Sequence, residues 1–360
     1  MKNIAAKFAL KEEVGEITPL KIGHINDSFI VKSVNPDGEN YFLQKINHNI
    51  FRNVEGLQKN IQIVTDHLRK KLAEKGEKDI ERKVLQLVPT KDGKLFYQDE
   101  NGDYWRVYKL IKNARSYDAI NPELAYKAGE AFGDFQCMLA DIPHDELIET
   151  IPDFHNMEFR LQQFHDAVCD NKAGRVEKTQ WMIDEIENRA EEMCLPERLH
   201  REGKLPKRIN HCDTKVNNML FDENDNPMCI VDLDTVMPGY VLSDFGDFMR
   251  TAANTGAEDD TDLSRVGVNM DIFEAYTRGY LKKATFLTPT ELGNLAFGAK
   301  LFSYMQTVRF FTDYLNGDTY YKIQHPEHNW QRTLAQFELL KSQEENFDKM
   351  QEIVFTCAQK

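Results

Sequence analysis

The stretch from Arg208 to Asp234 reads RINHCDTKVNNMLFDENDNPMCIVDLD. It contains two short apolar runs, residues 219–221 and 228–231, which are separated by Asp-Glu-Asn-Asp-Asn-Pro. Asp, Asn and Pro between apolar runs are typical of a turn, so the two runs are predicted to pair as an antiparallel hairpin. The polar residues at the ends of this hairpin are the first candidates for a functional site.

The register of the hairpin determines which polar side chains meet. Pairing that is symmetric about Asp225 places Asn218 directly opposite Asp232, with Cβ atoms about 4.5–5.5 Å apart. An amide oxygen and a carboxylate at that separation can chelate one Mg²⁺, which prefers oxygen ligands. We therefore predict that Asn218 and Asp232 bind magnesium.

Two further side chains precede the hairpin. Asp213 lies on the loop that enters it, where its carboxylate can orient or deprotonate an acceptor hydroxyl. Lys215 can neutralise charge that develops on a transferred phosphoryl group. Together with the metal ligands, this order indicates phosphoryl transfer from Mg-ATP. The alternative, local hydrogen bonding to the backbone, is preferred for the turn at 222–226 and for His211, which is expected to brace the loop.

Composition limits the class of protein. The chain has 360 residues, of which 41% are hydrophobic and 29% charged, and its formal net charge is −14. A globular chain of this length is expected to form more than one core. The acidic balance argues against nucleic acid or an anionic membrane surface as the main partner. The sequence identifies no protein partner.

The sequence also suggests a cellular location. Its six cysteines are scattered without a Cys-x-x-Cys pair. No apolar window of about 18 residues occurs, and the first residues lack the apolar core of a signal peptide. A cytoplasmic protein with reduced thiols is therefore expected.

Hydrophobic spacing divides the chain into a strand-rich part and a helical part. In the first part, one helix is predicted at 53–73, and strands are predicted within 17–46 and at 84–88, 95–98 and 104–111. In the second part, helices are predicted near 122–140, 157–171, 177–195, 262–283, 289–315 and 331–355. We predict an α+β fold with two lobes. The predicted regions are an N-terminal nucleotide-binding lobe at 1–111, a hinge at 112–118 and a mainly helical C-terminal lobe at 119–360.

A nucleotide-binding loop is predicted between the first two strands. A glycine among small polar residues suits a loop whose backbone N–H groups approach phosphates, which makes Gly23, Asn26 and Ser28 candidates. Lys45, on a later strand, can bind the α- and β-phosphates of ATP. The alternative for Lys45 is an ordinary surface lysine.

Two more residues are candidates for the nucleotide site. Glu55 is the only glutamate of the predicted helix at 53–73, so it is the candidate partner of Lys45. A Lys45–Glu55 pair and the absence of one are equally compatible with the sequence. Leu110 lies in the segment leading to the hinge, whose backbone is expected to contact adenine.

Arg309 is the main candidate for contact with a second substrate. It lies in the apolar segment 303–315, so its charge needs an acidic partner or a ligand. Tyr320 and Tyr321 follow, and their rings and phenol groups suit the apolar face and the hydroxyls of a sugar. A structural arginine followed by packing tyrosines is the equal alternative.

Two acidic segments are interpreted as structural. Asp244 and Asp247, in the sequence Asp-Phe-Gly-Asp, are expected to anchor the catalytic loop and to cap the next helix. The segment 258–262 lacks the glycine and the terminal glutamate of a calcium loop, so it is interpreted as a solvated loop.

The hairpin region resembles the protein-kinase-like enzymes of the aminoglycoside phosphotransferase and choline kinase superfamily. The segment 211–218 matches the His-x-Asp-x-x-x-x-Asn pattern of that superfamily, and 230–234 matches its metal-binding segment. The resemblance implies a two-lobed protein-kinase-like fold with Asp213 as catalytic base. It implies Asn218 and Asp232 as magnesium ligands. Asp234 would bind a second ion or hold the geometry of the loop.

A more specific resemblance extends over nearly the whole chain. Four blocks, at 23–29, 43–51, 211–218 and 309–318, are similar to the bacterial N-acetylhexosamine 1-kinases. These enzymes use ATP and Mg²⁺ to phosphorylate the anomeric hydroxyl of N-acetylglucosamine or N-acetylgalactosamine. The resemblance implies a sugar pocket with Asp213 at the reacting hydroxyl, lined by His24, Phe248, Arg309, Tyr320 and Tyr321.

Two alternatives are compatible with the same motifs. One is a kinase of another small hydroxyl compound, such as an aminoglycoside, choline, homoserine or another sugar. The other is a nucleotide-binding protein with the kinase fold and no turnover. Retention of Lys45, Asp213, Asn218 and Asp232 argues against the second.

Overall fold

The structure, a computed structural model, describes residues 1–20 and 25–359. It divides the chain into two compact units. Unit 1 contains Met1–Ser116, Asp141–Pro152 and Asn218–Met237, and unit 2 contains Tyr117–Ala140, Asp153–Asn217 and Pro238–Lys360. The prediction divided the chain once, at the hinge 112–118, whereas the contacts also assign two later segments to unit 1.

The secondary structure of the described residues alternates between the two units. The strands are β1 (Val14–Leu20), β2 (Asp27–Ser33), β3 (Tyr41–Ile46), β4 (Leu87–Val88), β5 (Tyr97–Gln98), β6 (Tyr104–Lys109), β7 (Arg208–Asn210), β8 (Met219–Phe221), β9 (Pro227–Ile230) and β10 (Met237–Gly239). The helices are α1 (Lys2–Ala5), α2 (Val54–Glu74), α3 (Ile80–Lys83), α4 (Pro122–Leu139), α5 (Met157–Asp170), α6 (Gln180–Met193), α7 (Leu195–Arg201), α8 (Val241–Ala252), α9 (Met270–Lys283), α10 (Pro289–Gly293), α11 (Leu295–Leu315), α12 (His328–Glu345) and α13 (Phe347–Ala358).

Unit 1 is built on an antiparallel sheet with the strand order β1-β2-β3-β6-β4, to which β5 adds by pairing with β6. Lys45 lies opposite Trp105, and Gln44 lies opposite Arg106. Since successive side chains of a strand point to opposite faces, these two pairs belong to different faces of the sheet. Trp105 is part of a buried apolar cluster together with Leu43 on β3.

Helix α2 confirms the helix predicted at 53–73. Asn53 caps it, because its side chain accepts a hydrogen bond from the N–H of Gly56 at 2.9 Å. Leu57, Ile61 and Val64 are fully buried at helical spacing.

The β8–β9 hairpin confirms the predicted turn but not its register. Met219 pairs with Ile230, and the N–H of Val231 donates to the carbonyl of Asn218 at 2.9 Å, so Asn218 lies opposite Val231 rather than Asp232. The pairing shifts again between Leu220 and Phe221. A symmetric hairpin was the wrong assumption, because an irregular register of this kind sets two residues of one strand against one residue of the other.

Unit 2 is mainly helical. One of its core clusters is formed by α5, α6, α11 and α12. Helices α4 and α9 approach each other through glycines: a Cβ added at Gly279 would lie 2.0 Å from the carbonyl oxygen of Tyr126. Gly246 of α8 and Gly298 of α11 form a second close backbone approach. Within residues 1–20 and 25–359, no helix is both long enough and apolar enough to span a membrane.

Two long predicted helices are each divided in the structure. The segment 289–315 forms α10 and α11, which are separated at Asn294, and 331–355 falls in α12 and α13, which are separated at Asn346. In both cases the asparagine side chain donates to a carbonyl four residues earlier, Thr290 at 2.7 Å and Ser342 at 2.8 Å. Such local bonds compete with the helical pattern. A small antiparallel sheet and a larger helical part nevertheless confirm the predicted α+β fold.

Candidate active site

Asp232 and Asn218 both lie in unit 1 at the base of the hairpin. Asn218 ends a short 3₁₀ turn just before β8, and only 8% of its surface is exposed. Asp232 is exposed and has a left-handed backbone with φ 59°. A non-glycine residue in this conformation is strained, and such strain is concentrated at functional sites.

The donor chemistry of these two residues fits a hard divalent cation. An amide oxygen and a carboxylate that reaches solvent are the ligands that Mg²⁺ combines with water and substrate phosphates. Asp234 differs, since its side chain is buried. Its Oδ2 accepts from Arg106 Nη2 at 2.8 Å and from Asn26 Nδ2 at 2.6 Å. We therefore omit Asp234 from the proposed metal ligands and assign it to loop geometry, the alternative that the resemblance offered.

Arg106 is a buried cation of unit 1, with 1% of its surface exposed. Its guanidinium binds both carboxylate oxygens of Asp234, and its Nε and Nη2 donate to Gln44 Oε1 at 3.0 and 2.7 Å. Burial alone would lower the pKa of Arg106, but Asp234 and further anionic groups, among them Asp232, raise it above its ordinary value. The guanidinium is therefore a fixed positive charge beside the 3₁₀ turn Leu233–Thr235, which follows Asp232.

Lys45 has a different environment from the one predicted. Its Nζ lies 2.6 Å from Asp103 Oδ2, on the face of the sheet opposite Arg106. Glu55, its candidate partner, is exposed in the first turn of α2, where a carboxylate interacts favourably with the helix dipole. Of the two alternatives that the sequence left open, the structure favours the absence of a Lys45–Glu55 pair, because the described partner of Lys45 is Asp103.

The remaining nucleotide-site candidates have mixed positions. Gly23 and His24 lie outside the described residues. Asn26 is held by Asp234 and by the N–H of Asn47, which donates to its Oδ1 at 2.9 Å. Ser28 is buried and accepts from Gln44 Nε2 at 3.1 Å, so its side chain is part of the sheet interior.

Leu110, the predicted contact of adenine, follows β6 directly. Its N–H donates to the carbonyl of Asn40 at 2.9 Å and is therefore used within unit 1. Its contact with adenine stays a prediction.

The catalytic loop of unit 2 follows β7 and is held from α8. Asp244 accepts the N–H groups of His211 and Cys212, each at 2.8 Å, and Asp247 accepts the N–H of Thr214 at 3.0 Å. This confirms the predicted anchoring of the loop. Both aspartates lie inside α8 rather than at its N-cap, so the predicted capping role is wrong.

Asp213 is the half-exposed residue at the centre of this loop. Its N–H donates to Nδ1 of the buried His211 at 3.3 Å, which confirms the bracing role of that imidazole. Lys215 Nζ lies 3.0 Å from Asp213 Oδ1, and this carboxylate, acting against burial, raises the pKa of Lys215 above its usual range. The left-handed backbone of Cys212, with φ 61°, turns the chain just before Asp213.

The anchoring aspartate is itself electrostatically unusual. Burial raises the pKa of Asp244 to about 6, while His211 and the N–H donors that bind the carboxylate act in the opposite direction. At neutral pH the group is therefore mainly an anion that accepts hydrogen bonds. Gln136 of α4 supplies a third donor at 2.8 Å.

A cluster of aromatic and cationic side chains surrounds Arg309 in unit 2. Its guanidinium carbon lies 5.0 Å from the ring centroid of Phe154 and 5.8 Å from that of Tyr321. Arg160 lies against the same phenylalanine at 6.0 Å. We call Phe154, His155, Arg160, Arg309 and Tyr321 the acceptor cluster; all five are half-buried.

Within the described residues, the two arginines of the acceptor cluster donate hydrogen bonds to carbonyl and amide oxygens rather than to carboxylates, although the Asp153 carboxylate acts on Arg160 electrostatically. In the described part of the chain, Arg160 donates to the carbonyl of Phe154 at 2.8 Å and to Gln163, and Arg309 donates to Gln306 at 3.2 Å. Burial and then the charge of Arg309 lower the pKa of Arg160 to about 10. The cluster is therefore electropositive.

His155 adds an unused polar atom to the acceptor cluster. Its ring stacks on Phe154 with centroids 4.4 Å apart, and its buried Nδ1 has no partner among the described residues. Burial, Arg309 and Arg160 lower the pKa of His155 well below its ordinary value, whereas Asp213 acts in the opposite direction. A neutral imidazole within the electrostatic reach of Asp213 can donate or accept one hydrogen bond to a ligand.

Tyr320 and Tyr321 lie on a loop that Asp313 holds. The buried Asp313 carboxylate accepts the N–H groups of Thr319, Tyr320 and Tyr321 at 2.8–3.0 Å. Tyr320 is 58% exposed, and its ring lies 4.8 Å from that of Tyr321.

Phe248, the other predicted sugar contact, is fully buried on α8 and stacks on Tyr276 with centroids 3.7 Å apart. A side chain without exposed surface cannot line an open pocket in this structure. We therefore correct its assignment from the sugar pocket to the core of unit 2.

Four residues of these sites were missed by sequence reasoning: Arg106, His155, Arg160 and Asp313. The available signal was a charged residue within an apolar stretch, as with Arg106 between Trp105 and Val107. The same rule that identified Arg309 also applies to that strand. The same signal was present at Arg160, which lies between Phe159 and Leu161, whereas His155, next to the polar Asn156, had none.

Comparisons with known proteins agree with this arrangement of elements. A family model described as the phosphotransferase enzyme family matches residues 16–281. The chain has the fold of a solved aminoglycoside phosphotransferase from Alicyclobacillus acidocaldarius, with 11% identity, a TM-score of 0.66, and coverage of 99% of this chain and 96% of that chain.

Two further solved structures are similar at comparable identity. For an ethanolamine kinase from Plasmodium vivax the identity is 14% and the TM-score 0.58, with coverage of 89% of this chain and 82% of that chain. For an amicoumacin kinase in complex with AMP-PNP and Ca²⁺ the values are 15% and 0.58, with coverage of 97% and 92%. At such identities the similarity concerns the fold.

Proposed function

The chain belongs to the phosphotransferase enzyme family, and from that premise we propose that it transfers the γ-phosphoryl group of ATP to the anomeric hydroxyl of an N-acetylhexosamine. The observation that carries this proposal is the half-exposed Asp213, fixed on a loop that two buried aspartates of α8 anchor through backbone N–H groups. The neutral, oxygen-rich acceptor follows from the acceptor cluster and from the sequence resemblance.

The nucleotide side of the proposal uses residues of unit 1. Asn218 and Asp232 would hold Mg²⁺, and the segment leading into β2, which includes Asn26, would contact phosphates through its backbone. When bound, the metal ion neutralises charge on the transferred phosphoryl group. Lys45 is left out, since it lies on the other face of the sheet and pairs with Asp103.

Asp213 would orient the acceptor hydroxyl and accept its proton. The hydroxyl oxygen then forms a bond to the γ-phosphorus, the bond from that phosphorus to the β–γ bridging oxygen breaks, and ADP leaves. An anomeric hydroxyl is more acidic than an ordinary alcohol, so a carboxylate base suffices and positioning supplies most of the rate. Lys215, 3.0 Å from Asp213, would stabilise the carboxylate in its charged form before transfer.

The acceptor cluster favours an uncharged acceptor over a cationic one. Two guanidinium groups without a described carboxylate partner repel an ammonium group in a partly desolvated site. They donate instead to hydroxyls and to an amide carbonyl, which an N-acetylhexosamine supplies. The ring of Tyr320, which is 58% exposed, would offer an apolar face to the sugar ring.

The proposal is tested by ATP consumption with Mg²⁺ against N-acetylglucosamine, N-acetylgalactosamine, glucose, galactose, ethanolamine, choline, homoserine and kanamycin, with phosphorus NMR of the product. The expected result is a sugar 1-phosphate from an N-acetylhexosamine. Turnover of a cationic acceptor in preference to the amino sugars would refute the assigned acceptor.

Two variants separate chemistry from folding. Asp213→Asn is expected to lower kcat by roughly 10²–10⁴-fold, the size of a general-base contribution, while nucleotide affinity stays near that of the wild type. Asp271→Asn, at an exposed position in the first turn of α9, removes the same charge at a residue that is assigned to neither site and serves as the matched control. Equal turnover of the Asp213 variant and the control would remove Asp213 from the mechanism.

A further inference from the structure

Arg106 and Asp234 form a buried ion pair in unit 1 that the transfer reaction itself does not require. Their side chains are 1% and 4% exposed. The guanidinium binds both carboxylate oxygens, which is the strongest geometry available to this pair. Because Arg106 is buried to this extent, it cannot touch a nucleotide directly, so any functional effect must pass through its partners.

The partners of this ion pair lie on both sides of the candidate nucleotide site. Asp234 belongs to the 3₁₀ turn that begins directly after Asp232. The same carboxylate accepts from Asn26 Nδ2 at 2.6 Å, one residue before β2. Asn26 in turn accepts from the N–H of Asn47, one residue after β3. One carboxylate therefore joins the metal-binding turn to the start of β2.

The remaining contacts of Arg106 and Asp234 fix their positions. Gln44 on β3 accepts two hydrogen bonds from the guanidinium, at 2.7 and 3.0 Å, and donates to Ser28 at 3.1 Å. The backbone carbonyl of Asp234 accepts from Thr150 Oγ1 at 2.8 Å. Arg106 is thereby attached to the sheet and Asp234 to the turn.

We propose that Arg106 is a positioning residue, which acts through Asp234 to hold the strained Asp232 and the segment at Asn26 in the arrangement that binds the metal–nucleotide complex. This inference rests on the proposed function, because it assumes that the chain binds ATP with a divalent ion. The left-handed backbone of Asp232 is unfavourable for a non-glycine residue, so its neighbours must hold it in place.

The test measures binding rather than turnover. Calorimetry gives the Kd of AMP-PNP in saturating Mg²⁺ and in EDTA. The Kd in EDTA divided by the Kd in Mg²⁺ is the ratio that reports how much the metal ion contributes to nucleotide affinity. Arg106→Gln and Asp234→Asn are each expected to reduce this ratio by about 10–100-fold, the usual effect of removing a side chain that orients a metal ligand. The Kd in EDTA is expected to change much less.

A double variant, Arg106→Gln with Asp234→Asn, tests whether the two residues act as one unit. The expected loss for the double variant equals the loss for either single variant, since each removes the same support. It also removes both buried charges together, which keeps the test valid if a single variant with one unpaired charge unfolds. Losses that multiply in the double variant would overturn the claim that Arg106 acts through Asp234.

Lys45→Met is the matched control, because it removes a cation from the adjacent strand on the opposite face of the sheet. It is expected to leave the metal contribution unchanged. A merely structural role of Arg106 predicts fewer binding sites per molecule with an unaltered ratio, and that result would overturn the proposal. If wild-type protein binds no AMP-PNP with or without Mg²⁺, the proposed function fails instead, so the two failures are distinguishable.

Discussion

The crossing of α4 and α9 makes a sharp prediction about a single methyl group. A Cβ at Gly279 would lie 2.0 Å from the carbonyl oxygen of Tyr126 and 3.0 Å from the amide nitrogen of Glu130. Both atoms belong to the backbone of α4, so no side-chain rotation can relieve the contact. Gly279→Ala must therefore separate the two helices or bend one of them.

The expected cost follows from two opposing effects. Overpacking a well-packed interior costs about 1–3 kcal/mol and occasionally more, and a rigid backbone obstacle belongs at the upper end. Replacing glycine by alanine within a helix returns about 1 kcal/mol through propensity. The net loss in the free energy of unfolding is expected to be roughly 2 kcal/mol or more.

Gly293→Ala provides the matched control. A Cβ at Gly293, the last residue of α10, would have no atom within 4 Å. The same chemical change there is expected to be neutral or to stabilise by up to about 1 kcal/mol. Urea unfolding of the two variants and the wild type, followed by circular dichroism, measures the difference. If Gly279→Ala is as stable as Gly293→Ala, the close approach of α4 and α9 is refuted.

Three further predictions concern the catalytic loop and the acceptor cluster. Asp244→Ala leaves the buried N–H donors of His211 and Cys212 without acceptors. The free energy of unfolding should therefore fall by about 3 kcal/mol or more, and kcat should also fall. Unchanged urea unfolding would contradict the anchoring role. The pKa of His155 is lowered in the folded protein. As the pH falls below about 6.5, the ring therefore takes up a proton mainly in the unfolded chain. The stability that this group contributes is present above that pH and is lost below it. Between about pH 7 and about pH 5 the Tm of the wild type should therefore fall more than that of His155→Gln, and equal slopes would show that the ring titrates normally when folded. Asp313→Ala removes the acceptor of the N–H groups of residues 319–321. It should raise the KM for the sugar more than the KM for ATP. An equal change in both KM values would place the loop away from the acceptor.

The sequence predicted the hairpin because turn residues between apolar runs are a local signal. Its register depends on the exact centre of the turn. Phe221 pairs with Pro227, which centres the turn on Asn224 rather than on Asp225, and the shift between Leu220 and Phe221 then leaves Asn218 opposite Val231. Periodicity alone cannot show such an irregularity, since the apolar residues remain the same. The sequence nevertheless identified the metal-site candidates Asn218 and Asp232, because their order along the chain is a signal that does not depend on the register of the hairpin.

The pattern of residues within one strand does not determine which cation of unit 1 lies on the same face of the sheet as the candidate nucleotide site. Lys45 and Arg106 are both cations on neighbouring strands, and only the face of the sheet distinguishes their environments. That face is decided by cross-strand pairing over some sixty residues of intervening chain, which sequence spacing does not encode. The catalytic loop was easier to predict, because Asp213, Asp244 and Asp247 belong to local motifs whose anchoring role follows from their chemistry.

The separate support of the catalytic loop and of the acceptor cluster has an evolutionary consequence. Two aspartates of α8 fix the loop around Asp213, whereas Asp313 at the end of α11 fixes the loop with Tyr320 and Tyr321. Substitutions at the exposed positions of the loop with Tyr320 are therefore expected to accumulate without disturbing the loop that holds Asp213. A lineage with this scaffold can acquire a new acceptor gradually, because each intermediate keeps its chemistry while its choice of acceptor changes.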